Sequence, residues 1–123
     1  MKSIKTVNIL GTSYRVHMGV PVSKDDELEG RFGYCSHTLK KIVIADLDSI
    51  ETWKNEPDYS KKVQTNRTLR HEIIHAFLDE SGLCGSSTSC DAWALNEEMI
   101  DWIAMQFPKI LKVLRKLGCE GEI

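Results

Sequence analysis

No stretch of this chain is apolar for long enough to cross a bilayer, which takes about 20 consecutive apolar residues, so the sequence predicts no membrane segment. The opening residues, MKSIKTVNILGTSYRVHMGV, lack the sustained apolar core and small-residue cleavage site of an export signal, and a cytoplasmic location is the expectation. An excess of positive charge is missing too. Sixteen Lys and Arg stand against eighteen Asp and Glu, for a formal net charge of −2, whereas a dedicated nucleic-acid binder carries a basic stripe. The one basic cluster, Lys109, Lys112, Arg115 and Lys116, falls near the end of the last helical segment, where cations complement the helix dipole. Cysteine is sparse and irregular. Cys35, Cys84, Cys90 and Cys119 contain no C-x-x-C pair, which makes a poor zinc-ribbon pattern and a poor disulfide framework. Cys84 and Cys90 bracket a short Ser-rich loop and are close enough to pair if oxidised; free thiols are the expectation in a reducing compartment.

What is present is an ordinary globular composition, 41% hydrophobic and 28% charged over 123 residues. That is enough chain for one domain spanning residues 1–123 with its own core. The first third reads as sheet. Val7 and Ile9, then Tyr14, Val16 and Met18, alternate around Gly11, which predicts two short strands joined by a turn or one bent strand. Residues 21–30 are polar and turn-rich. Two further strands are expected at 32–36 and 41–45, joined by a hairpin through SHTLK.

The second half reads as helix. Ile73, Ile74, Phe77 and Leu78 recur at helical spacing, with Asp58 or Ser60 available as a cap and Gly82 as a stop. After the loop CGSSTSCD, Asp91 is the expected N-cap of a helix over AWALNEEMIDWIAMQF, with Leu95, Met99, Trp102, Ile103 and Phe107 as its apolar stripe. Pro108 is expected to start a third helix, with Ile110, Leu111, Leu114 and Leu117 inward and Gly118 at its end. Strands first and helices second predict an α+β fold, with about three helices on one face of a small antiparallel or mixed sheet of three or four strands.

The chemistry is concentrated in HEIIH, residues 71–75. On a helix, residues four apart are neighbours, so His71 and His75 can both point at one ion about 2.0–2.1 Å from each nitrogen. Glu72 lies about 100° round the helix from His71. It borders the same site, poorly placed as a ligand but well placed to take a proton from a zinc-bound water, whose pKa falls to roughly 7. Shuffling this composition produces H-E-x-x-H in roughly one chain in a hundred, so context has to decide between a metal site and a polar helix face.

A catalytic zinc wants a third protein ligand, and NEEMID, residues 96–101, offers one. Glu97 and Asp101 are four apart and share a helix face. Glu97 is the candidate third ligand, and Asp101 can accept the other ring N–H of a liganding histidine and fix its tautomer. Glu98 reads as a surface residue, and is the alternative ligand if the helical register is shifted.

HEIIH followed 22 residues after His75 by Glu97-x-x-x-Asp101 resembles the gluzincin zinc metallopeptidases. The short length and the strands-then-helices order look most like the minigluzincins and the ImmA/IrrE-type metallopeptidases of phages and mobile elements. The resemblance implies a cytoplasmic, phage-type peptidase using Zn2+, with His71, His75 and Glu97 as ligands, Glu72 as general base and Asp101 supporting His71. It also implies a protein or peptide substrate lying along the edge of the strand before the active-site helix, here Lys41–Ala45. Tyr34, His37 and Tyr59 are candidates for the group that stabilises the oxyanion, with His17 more distant. A different class of function has the same sequence signature: a zinc-containing binding module, inhibitor or regulator, that keeps a gluzincin shape without turnover.

Overall fold

A computed structural model describes residues 3–86 and 92–122. Its fold is α+β, a four-stranded mixed sheet with helices on one face. Strand β1 (Ser3–Ile9) pairs antiparallel with β2 (Thr12–Val20). Between them Leu10 (φ 51°) and Gly11 (φ 92°) both adopt positive φ, the backbone of a two-residue hairpin turn whose twist matches that of the strands. The Gly11 N–H donates to Asn8 Oδ1 at 2.8 Å, closing the turn. Strand β3 (Gly33–Ser36) and strand β4 (Lys41–Ala45) form the second antiparallel hairpin.

The sheet order is β1-β2-β4-β3, because β4 pairs in parallel with β2. This corrects the expected substrate edge. Lys41–Ala45 is hydrogen-bonded on both sides and has no edge to offer. The edge strands are β1 and, beside β4, β3 (Gly33–Ser36). IVIA is buried on both faces, as interior strands in such sheets are.

Alternation along the strands divides the core. Tyr14, Val16, Ile42 and Ile44 face helix α1 (Asp58–Glu80) and pack with Ala76, Leu69 and Ile73. Tyr34, Val43 and Ala45 face the other way, against Leu28, Val22 and Ile50 from the turn-rich segments. Helix α1 begins at Asp58 after Pro57 and has no side-chain cap, so neither Asp58 nor Ser60 acts as one; Asp58 is instead the acid of the first turn. The helix ends at Glu80 with Ser81 as its C-cap, and Gly82 follows at φ 85°.

A single turn, α2 (Leu83–Ser86), precedes the undescribed residues 87–91, so Cys90 and the expected cap Asp91 lie outside the described residues. Helix α3 (Glu97–Lys116) starts later than expected. Trp93–Leu95 form a 3-10 turn, and the Asn96 side chain accepts from the Met99 N–H at 2.7 Å. This is a strong N-cap.

Pro108 does not begin a third helix but lies inside α3. Proline has no N–H to give the carbonyl four residues back. Here that carbonyl, of Ala104, accepts from Arg70 Nε of α1 at 2.5 Å. The buried face of α3 is Ile100 and Ala104 rather than the expected stripe. Trp102, Phe107, Ile110 and Leu117 are exposed, while Leu111 and Leu114 are half-buried.

Candidate metal centre

Helix α1 crosses the sheet with Thr68, Glu72 and Ala76 on its buried side. His71 and His75 lie one step round from that line, at the edge of α1 that meets the start of α3. Capping by Asn96 puts Glu97 in the first residue of α3, directly opposite. His75 Nε2 lies 3.1 Å from His71 Nε2 and 2.7 Å from one Glu97 oxygen, and the other Glu97 oxygen is 3.7 Å from His71 Nε2. Two ligand atoms held tetrahedrally about 2.0–2.1 Å from one ion stand about 3.3–3.4 Å apart. The observed separations, 2.7 to 3.7 Å, fall on either side of that spacing, and the group could hold a metal ion.

The surroundings favour the same use. His71 Nδ1 is 3.3 Å from Asp101 Oδ1. A proton on Nδ1 leaves the Nε2 lone pair for an ion and the carboxylate fixes that tautomer. Burial is the main influence lowering the His75 pKa, with the Glu97 charge opposing it. A neutral imidazole is the form that binds metal.

Glu72 is buried beside this group at 9% exposure. Burial raises its pKa to about 7; the charges of His71 and Arg31 pull it down and that of Glu97 pushes it up. A carboxyl with such a pKa exchanges protons near neutrality, as a general acid–base must.

The recess on the metal side, about 440 Å³, has Arg31, Cys35 and Asp79 on its walls besides the histidines and Glu97. Burial pushes the Cys35 thiol up to about 12, so it stays protonated. A second recess of about 340 Å³ opens on the other side of Glu72, with Arg67 and Asp101 on its walls. Sequence reasoning singled out neither arginine. Arg67 had an available signal, since it stands four residues before His71 and so on the same face of α1.

The remaining expected residues fall elsewhere. Tyr34 points to the opposite face of the sheet, and its hydroxyl donates to Asp25 Oδ2 at 2.6 Å. His37 is exposed in the β3–β4 turn. Tyr59 is 78% exposed in the first turn of α1, about 18 Å of helix from His71 at 1.5 Å per residue. Glu98 faces away beside Trp93 and Trp102. No family model, curated protein or solved structure matches the chain.

Proposed function

We propose that this chain is a zinc-dependent peptidase, with His71, His75 and Glu97 holding the ion. The observation that carries the reading is the convergence of three donor groups from two helices beside one buried carboxyl, Glu72. Two imidazoles and a carboxylate are a donor set that suits catalytic zinc. When bound there, the ion would acidify a water and polarise the carbonyl of the scissile bond. Glu72, buried beside the three donors, takes the proton from the attacking water and delivers it to the leaving amine. Asp101 holds the His71 ring in orientation. The free edge of β3 runs along the recess at Gly33, Tyr34 and Cys35. An extended peptide can add to such an edge by main-chain hydrogen bonds.

Incubating the zinc-loaded protein with a library of unstructured decapeptides tests the reading. Cleavage is expected, and Glu72→Gln should keep its zinc while losing about a hundredfold or more of the rate. If Glu72→Gln cleaves like the wild type, the proposed mechanism is wrong. If the wild type cleaves nothing although it holds zinc, the binding-module reading takes its place.

A further inference from the structure

The recess that Arg67 shares with Glu72 holds a polar group with no partner. Arg67 Nε is closed off from solvent and has no hydrogen-bond acceptor, and Arg67 makes no ion pair with any described residue. Buried polar atoms without partners are rare, because leaving a donor dry costs folding free energy. The nearby polar groups do not answer it. The Gln64 side-chain amide donates to Thr68 Oγ1 at 3.1 Å, and Thr68 Oγ1 in turn donates to the Gln64 carbonyl at 2.9 Å. Of the two acids on the same walls, Asp101 faces the His71 ring at 3.3 Å and Glu72 makes no ion pair with Arg67. Phe32 gives the recess an apolar side.

We infer that this recess is a substrate subsite for a carboxylate, with Arg67 as its cation. The inference rests on the peptidase reading, since it takes the peptide as the source of the carboxylate. A guanidinium presents its donors in a planar fork that matches a carboxylate, and the match is strongest where water is excluded. Phe32 would pack on the aliphatic stem of an acidic side chain. Arg31, on the wall of the neighbouring recess, adds a second positive charge on the other side of Glu72 and raises the local attraction for anionic peptides. The carboxylate has two possible origins in a peptide: a Glu or Asp side chain next to the scissile bond, or the chain's own C-terminus.

Binding separates the subsite from turnover. Zinc-loaded Glu72→Gln protein is titrated with three blocked or free tripeptides while the 15N-detected Nε–Hε signal of Arg67 is followed. Ac-Ala-Glu-Ala-NH2 carries a side-chain carboxylate, Ac-Ala-Ala-Ala-OH a terminal one, and Ac-Ala-Gln-Ala-NH2 neither. At least one carboxylate peptide is expected to shift the Arg67 signal saturably and to bind about 10- to 100-fold tighter than the glutamine peptide. Which of the two does so identifies the source. Arg67→Met should abolish the difference and Arg67→Lys should restore part of it, with both variants retaining zinc. Equal binding of all three peptides, no saturable shift by any, or an undiminished preference in Arg67→Met overturns the inference. Failure of the peptidase reading looks different, because it leaves this binding intact and shows only as absent cleavage by the wild type.

Discussion

Glu72 occupies a position on α1, between buried Thr68 and Ala76, where an apolar side chain would pack against the sheet without penalty. Its raised pKa makes that cost measurable in metal-free protein. The folded state holds the Glu72 proton up to about pH 7, whereas the unfolded chain releases it near the ordinary value of about 4.3. Between those two values the folded state binds more protons, so this group's contribution to stability falls as pH rises. The metal-free Glu72→Gln variant, which cannot ionise there, should therefore gain on the wild type in melting temperature from pH 5 to pH 8. A constant difference across that range would contradict the burial account. Gly33 is a second costly position. A Cβ there would meet Thr68 Cγ2 and the Val43 carbonyl oxygen at 2.9 Å and Ile44 Cδ1 at 3.0 Å. Gly33→Ala should therefore push the edge strand off α1 and destabilise by about 1–3 kcal/mol, read as a lowered urea midpoint. At this scale the sequence was informative where the rule is local: four-residue spacing on a helix relates His71 to His75 and Glu97 to Asp101. It said nothing of Gly33, whose constraint comes from a helix that enters 25 residues later.

Helix α3 continues through Pro108 because another helix supplies the donor that proline lacks. The Ala104 carbonyl would otherwise be left without its helical partner, and Arg70 reaches it from 34 residues earlier in the chain. Arg70→Met should cost about 1–3 kcal/mol. Pro108→Ala restores a local N–H, so the same Arg70 substitution should cost clearly less in that background. A double-mutant cycle by urea unfolding measures the difference, and strict additivity would contradict the pairing. The sequence rule that proline opens a helix failed because the compensating arginine is remote in sequence. The apolar stripe of α3 was misjudged for a related reason. Both faces of the helix carry apolar residues, and only contact with α1 decides that Ile100 and Ala104 are the buried ones. The two hairpins were legible because their turns are local; the parallel pairing of β2 with β4, which moves the sheet edge to β3, was not.

Across the whole molecule, the arrangement joins one sheet edge and two helices around a single small site. Helix α1 is fixed to the sheet at its far end, where the Tyr14 hydroxyl donates to Glu80 Oε1 at 2.8 Å and Lys40 Nζ reaches the same oxygen at 2.5 Å. That anchor and the α1–α3 contact set the histidines against Glu97. The α+β class was readable from the order of strand and helix patterns, and the candidate donor residues from two short motifs. The arginines flanking Glu72 and the identity of the open edge depend on how distant segments meet. The central claim, that His71, His75 and Glu97 form a zinc site, is tested most directly by titrating metal-stripped protein with zinc. Wild type is expected to bind one zinc per chain, with Glu98→Ala unchanged. His75→Ala and Glu97→Ala should each weaken binding by more than about a hundredfold, beyond what loss of an outer hydrogen-bond partner costs. Equal zinc affinity in wild type, His75→Ala and Glu97→Ala would contradict the account.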